Sequence, residues 1–205
     1  EVEELFIENT FKQMDDNISL DFTRVYNEND ALIRIYKIDT NDFIQDDDSL
    51  LGLSTINQDA YYIEDAFVEI IWQDQSGWDW WYEDEFGGTG LNKINIYNEY
   101  GNLASGNINE RSADIIVHEI GHALGLDHPG HDPHGTWHNT VDTAMSYNFE
   151  QRSGVYGSTI SLEYAPQFSS TDLEALKYMW GSEENTSNKD GSLEYSLLQD
   201  ISDNG

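Results

Sequence analysis

An α+β domain, one sheet backed by helices, is what the order of patterned segments in this chain predicts. Apolar residues Ile7, Phe11, Met14 and Ile18 recur at helical spacing, so residues 3–16 read as an amphipathic helix. Segments rich in β-branched and aromatic residues follow at 20–26, 32–38, 66–72 and 93–97, and each reads as a strand. A second helix is announced by Ile116, Val117, Ile120, Ala123 and Leu124, with Ser112 as its N-cap, and Thr171 with Glu174 forms a capping box for a third. At 205 residues the chain is most simply one domain with room for a real core.

The middle helix carries His118-Glu119-Ile120-Gly121-His122-Ala123-Leu124-Gly125-Leu126-Asp127-His128. At about 100° per residue, His118 and His122 lie one turn apart on the face opposite the apolar one. Gly125 is placed to end the helix, because glycine readily adopts the left-handed conformation that turns a chain sharply. That turn lets His128 swing back as a third nitrogen ligand. Three imidazoles leave one position of a tetrahedral zinc open for water, as in catalytic sites. Solvent-facing histidines on an ordinary helix would have to explain five fixed residues in an eleven-residue window of a chain with six histidines. The short form HExxH has real false positives; the extended form HExxHxxGxxH is far more specific.

With these residues the chain resembles the metzincin metallopeptidases, and within them most closely the serralysins. Met145-Ser146-Tyr147 is similar to the serralysin methionine turn, and 170–181 is similar to the family's C-terminal helix. The resemblance implies a twisted, mostly parallel five-stranded sheet with one antiparallel edge strand, a zinc helix and a C-terminal helix. It assigns that edge strand to 66–72, where an extended substrate would pair by β-augmentation. It also implies that Tyr147 sits at the zinc and that Met145 forms a floor beneath the imidazoles. Strands 20–26 and 32–38 are separated only by Asn27-Glu28-Asn29-Asp30, which by itself suggests a hairpin. The family pattern instead makes them parallel, with another strand between them.

The function implied is hydrolysis of internal peptide bonds in a polypeptide substrate. Zn²⁺ would be held by His118, His122 and His128, with Tyr147 at the resting metal, and Glu119 would act as general base on the zinc-bound water. Tyr147 would also donate a hydrogen bond to the oxyanion. Secretion to an extracellular location follows from the same resemblance. A different class of function remains open: a binding module on a metzincin scaffold, working through its acidic and aromatic surface. A gluzincin-type peptidase would need a distal glutamate as third ligand, which His128 makes unnecessary.

Composition narrows the partners. The formal charge is −31, and fourteen Asp or Glu but no Lys or Arg lie between Ile38 and Asn92. Such a field repels nucleic acid and anionic membranes and attracts basic substrates. Asp46-Asp47-Asp48 and Glu83-Asp84-Glu85 could hold Ca²⁺ or form a solvated acidic face, but no twelve-residue calcium loop is spelled out. The Gly-Gly-x-Gly-x-Asp repeats that follow serralysin catalytic domains are also absent. Without cysteine, these residues build neither a disulfide framework nor a cysteine-based prosegment switch. No apolar run approaches the roughly 20 residues of a membrane span.

Three features stand outside the motif. The aromatic cluster Trp78, Trp80, Trp81 and Tyr82 suits either a binding platform or the packing of a long loop; a short helix at 58–65 would precede it. His131, Asp132, His134 and His138 offer ligand types for a second metal but no recognisable spacing, so a surface loop is the simpler reading. Residues 1–181 would form the catalytic domain and 182–205 a linker and tail. Leu193-Glu194-Tyr195-Ser196-Leu197-Leu198 in that tail has a strand pattern and is similar to the family's first strand, Leu-Thr-Tyr-Ser-Phe, which the N-terminal residues do not supply. Residues 193–198 are therefore expected between strands 20–26 and 32–38, a circular permutation in effect. A neighbouring molecule's tail could fill the slot instead, the tail could be disordered, or it could open a further domain of a longer parent chain.

Overall fold

A computed structural model of the chain describes residues 2–38, 52–56, 67–73, 93–98, 100–148, 150–152, 161–163, 166–183 and 191–198. The first helix, α1 (Val2–Asp15), carries Glu3 and Glu4 in its first turn and Lys12 in its last, the arrangement that suits a helix dipole. It leads into β1 (Leu20–Arg24), and β2 (Ile33–Ile38) follows after a single 3-10 turn. Then come β3 (Gly52–Ile56), β4 (Val68–Gln73), β5 (Lys93–Tyr97) and β6 (Leu103–Asn109). The histidine-bearing helix is α2 (Glu110–Ala123). Short strands β7 (Glu150–Arg152) and β8 (Ser161–Glu163), helix α3 (Ser170–Trp180) and β9 (Gly191–Leu198) complete the order.

The main sheet has the order β1-β9-β2-β4-β3, parallel throughout except for β3, which runs antiparallel to β4. The tail thus occupies, in its own chain, the slot that its resemblance to the family's first strand implies. Leu20 is opposite Gly191 and Ile33 opposite Tyr195, and the Val25 and Leu32 amides donate to the carbonyls of Tyr195 and Glu194, both at 2.8 Å. The strand begins two residues earlier than its apolar pattern suggested. Tyr195 is 5 % exposed and stacks on Phe11 of α1 with ring centroids 4.1 Å apart, while Phe22 approaches Phe11 at 5.2 Å. These rings bind α1, β1 and β9 into one hydrophobic core with Ile33, Ile35, Ile70, Ile116 and Ile120. Arg24 of β1 adds ion pairs to Glu4 and Glu8, one turn apart on α1.

Several expectations are corrected. The antiparallel edge strand is β3, not 66–72. Strand β4 is interior, paired with β2 on one side and β3 on the other, and its alternate residues Ile70 and Trp72 are buried in the core. Gly-Leu-Ser-Thr-Ile is short and mostly exposed, as an edge strand is. Residues 93–97 form a strand as predicted, but β5 pairs with β6 in a separate two-stranded sheet, and β6 itself was not anticipated. The N-cap of α2 is Asn109, whose side chain accepts from the Ser112 amide, so Ser112 is the capped residue. The capping box of α3 is Ser169 with Asp172, two residues ahead of the predicted pair. The Asp46–Asp48 and Glu83–Glu85 clusters, the Trp78–Tyr82 segment and the helix at 58–65 lie outside the described residues. No described helix is long and apolar enough to cross a membrane.

Candidate metal centre and active site

Helix α2 packs against β3 and β4, and its Ile115, Ile116, Val117 and Ile120 are buried, as is Leu124 at its C-cap. Its opposite face presents His118 and His122. The helix ends in a Schellman turn: the Gly125 amide donates to His122 O at 3.0 Å and the Leu126 amide to Gly121 O at 2.9 Å. Gly125 has φ +95°, a conformation that a side chain strongly disfavours. This turn returns the chain so that His128 faces the helix.

The ligand nitrogens of His118, His122 and His128 all lie within 4.8 Å of one another, and no other group of this kind occurs among the described residues. Nε2 of His118 and Nε2 of His128 are 3.3 Å apart. Two nitrogens on a tetrahedral zinc, each at about 2.0–2.1 Å, would stand about 3.3–3.4 Å apart. Nδ1 of His118 lies 2.7 Å from Ala144 O and Nδ1 of His122 lies 2.9 Å from Leu126 O. Donation to those carbonyls puts the proton on Nδ1 and leaves Nε2 as a lone-pair donor toward the common point. Burial, opposed by the Ala144 contact and reinforced by the neighbouring imidazoles, lowers His118 to about 3. Burial first, then the neighbouring imidazole of His122, lowers His128 as well, against the opposing pull of Asp127. Both rings are therefore neutral, as metal ligands must be.

Glu119 is 5 % exposed, and burial raises its carboxyl to about 8, opposed by a hydrogen bond from the Ser54 backbone of β3. A cation among the imidazoles favours the ionised form. Gly52 of β3 makes this approach possible: a Cβ there would stand 2.6 Å from Glu119 Oε1 and 2.7 Å from Ile115 Cγ2.

The methionine turn lies under the histidines. Met145 is 2 % exposed, and its Sδ would be 2.6 Å from a Cβ on Gly121, so this glycine lets the sulfur sit against the helix. The Tyr147 ring is 5.1 Å from that of His118 and 5.0 Å from that of His128. Burial raises its pKa, with Glu119 and Asp114 adding to the effect, so the phenol keeps its proton. Asp172 of α3 fastens the turn from behind: its carboxylate accepts from Thr143 Oγ1, from Ala144 N and from Ser169 N.

The loop with the other three histidines folds over the methionine turn. Tyr147 N donates to Pro133 O at 2.8 Å, and Asn148 Nδ2 donates to the carbonyls of Gly135 and His138. His131, His134 and His138 are exposed and take no part in the three-histidine group; the His131 side chain bonds Asp127 instead. The loop reading of this segment agrees with their placement.

A cavity of about 540 Å³ runs past Glu119, His122, His128 and Tyr147 along the edge strand. The matrixin peptidase family model matches residues 1–150. The chain belongs to the matrixin family. Comparison with curated proteins and with solved structures gives no match. Membership of the matrixins and the histidine cluster together support a zinc metallopeptidase acting on polypeptide, with three histidines able to bind zinc. Helix α3 and strand β9 lie past the matched stretch, yet they fasten the methionine turn and fill the sheet.

Sequence reasoning missed Gly52, Ser54, Asp172 and Trp180. The first two sit in a five-residue strand surrounded by acidic sequence. Asp172 had a visible signal, since Ser169-x-x-Asp172 is itself a capping pattern. Trp180, which lines the cavity and donates from Nε1 to Leu124 O at 2.9 Å, carried none.

Proposed function

We propose that this matrixin is a secreted zinc endopeptidase with a serralysin-like methionine turn, which cleaves internal bonds of extended polypeptides. The observation that carries the reading is the continuity of the cavity: the edge strand, the buried Glu119 carboxyl, two of the imidazoles and the Tyr147 ring all line one cleft. Among the described residues strand β3 pairs only with β4, and its outer edge is the place where an extended chain would pair.

His118, His122 and His128 hold the metal in this scheme. When bound, zinc supplies the Lewis acidity that polarises a carbonyl and makes water acidic near neutral pH. Glu119, whose orientation is fixed by the Ser54 amide, takes the proton of the attacking water and hands it to the leaving amine. Tyr147 stays protonated and donates a hydrogen bond to the charge that develops on the carbonyl oxygen. Met145 touches no substrate; it fills the space under the ligand rings. The serralysin-like feature is the Met-Ser-Tyr sequence, and the extracellular location rests on the same resemblance.

The test is cleavage of casein with and without a zinc chelator, by the parent and by Glu119→Gln. The variant should retain zinc, measured by metal analysis, and lose about 10²–10⁴-fold or more in kcat. If Glu119→Gln digests casein as fast as the parent, the reading is wrong.

A further inference from the structure

The Tyr147 side chain is 37 % exposed, so contacts rather than enclosure keep it in place. Two of its ring neighbours are the ligands His118 and His128. A third is His134, whose ring centroid lies 5.4 Å from that of Tyr147 with the planes at 70°. That separation and near-perpendicular setting are the ones aromatic pairs favour. Tyr147 lines the cleft and His134 does not, so the histidine acts on the phenol from outside the cleft.

The loop is fastened on both sides of His134. Pro133 O accepts from the Tyr147 amide at 2.8 Å, and Gly135 O accepts from Asn148 Nδ2. The His134 amide donates to Asp132 Oδ1 and the Gly135 amide to Asp132 O, both at 3.0 Å, which closes a tight turn. The Trp137 indole covers it: a Cβ on Gly135 would stand 3.1 Å from Trp137 Nε1, and one on Gly130 3.6 Å from Trp137 Cζ2. His134 is exposed, yet its backbone is braced against the residues it serves.

With the Tyr147 amide fixed, the place of its phenol depends mainly on χ1. The staggered wells of that angle lie about 120° apart, so a step to another well carries the ring away from all three neighbours together. Each contact therefore adds to the population of the observed position. The rings of His118 and His128 cannot be altered without harm to the three-histidine group. His134 lies outside that group and can be.

We propose that His134 is a positioning residue for Tyr147: its ring holds the phenol beside the ligand imidazoles, where the hydroxyl meets the carbonyl oxygen of a substrate. The proposal deepens the endopeptidase reading and rests on it for the role of that hydroxyl. The contact is one of ring against ring, so phenylalanine can replace His134 and alanine cannot.

The experiment compares zinc-loaded parent, His134→Ala, His134→Phe, Tyr147→Phe and Tyr147→Phe/His134→Ala in the cleavage of one casein peptide. His134→Ala should lower kcat about three- to tenfold with KM within about twofold, at unchanged zinc content and urea midpoint. His134→Phe should stay within about twofold of the parent. In the Tyr147→Phe background the same alanine substitution should change kcat by less than about twofold, because the hydroxyl it positions is gone. A loss caused by a loosened loop would persist there. A phosphinic analogue of the peptide, whose tetrahedral centre resembles the transition state, gives a readout without turnover. It should bind His134→Ala more weakly by the same factor, while the intact peptide binds Glu119→Gln and Glu119→Gln/His134→Ala alike.

An unchanged kcat in His134→Ala, an equal loss in both backgrounds, or a failure of His134→Phe to keep the rate overturns the role of His134 and leaves the peptidase reading intact. A zinc-loaded parent that neither cleaves the peptide nor binds its phosphinic analogue overturns the peptidase reading, and the role of His134 with it.

Discussion

Replacing Asp172 by alanine removes the acceptor of three hydrogen bonds at once. The carboxylate is 3 % exposed; Oδ1 takes the Thr143 hydroxyl, while Oδ2 takes the amides of Ala144 and Ser169, both at 2.9 Å. Ser169 remains the N-cap of α3, and losing the reciprocal half of the capping box costs up to about 1 kcal/mol. Leaving the Ala144 amide buried without its acceptor adds about 1–3 kcal/mol, and the released hydroxyl somewhat less. The expected loss is therefore about 3–5 kcal/mol, a large share of the roughly 5–15 kcal/mol that holds a domain folded. Asp172→Asn should cost only about 1–2 kcal/mol, since its amide can point Oδ1 at the two N–H groups and its Nδ2 at Thr143. Thr143 Oγ1 already accepts from the Met145 amide at 3.1 Å and has a second lone pair to offer. Urea unfolding followed by tryptophan fluorescence measures both variants. Because Ala144 O also orients His118, chelator competition should show zinc affinity about tenfold lower in Asp172→Ala. A loss below 1 kcal/mol together with unchanged zinc affinity would refute this account of how α3 supports the site.

Gly52→Ala puts a methyl 2.6 Å from Glu119 Oε1 and should lower kcat by about 10²-fold with zinc content unchanged, measured by peptide cleavage and metal analysis. Tyr195→Ala empties the core where β9 meets α1 and should cost about 3–5 kcal/mol in urea unfolding; a loss under 1 kcal/mol would mean that β9 is not anchored there. In zinc-free protein, stability should rise from about pH 3 to 4.5 and fall from about 6.5 to 8. Glu119, held near 8 when folded against 4.5 unfolded, keeps a proton that the unfolded chain has lost, so its contribution falls as pH rises between those values. His118, near 3 against 6.5, runs the opposite way and offsets it from 4.5 to 6.5. Urea midpoints of chelator-treated protein across this range, flat or rising above pH 6.5, would contradict the assignment.

The three-histidine cluster was legible because its geometry is local. His118, His122, Gly125 and His128 fall within one helix and one turn, where helical pitch and a left-handed glycine determine the outcome. Strand β9 was legible for a different reason: Leu193–Leu198 has a strand pattern and resembles the first strand of the metzincins, which the N-terminal residues do not supply. What stayed hidden depends on contacts between distant segments. Gly52 is intelligible only once β3 lies against Glu119, some 67 residues on. The edge position belongs to Gly52–Ile56 because this five-residue segment lies within an acidic, weakly patterned stretch whose strand is visible only once it pairs with β4. Helix ends shifted by two or three residues because Asn109 and Ser112, or Ser169 and Thr171, are all competent caps, and the surrounding structure chooses between them.

Strand β9 also sets the order in which this molecule can be assembled. Its first residue lies opposite Leu20, about 170 residues earlier, and closing a loop of that length costs about 4–5 kcal/mol in chain entropy before any bond forms. Until residue 198 has left the ribosome, β1 and β2 face each other across an empty lane, each with an open row of amides and carbonyls. The histidines and Glu119 are made some seventy residues sooner, yet the layer they pack against is incomplete. Synthesis therefore has a built-in delay: the nascent chain carries its reactive groups well before it has a finished platform to hold them, and the final strand works as the keystone that closes the arch.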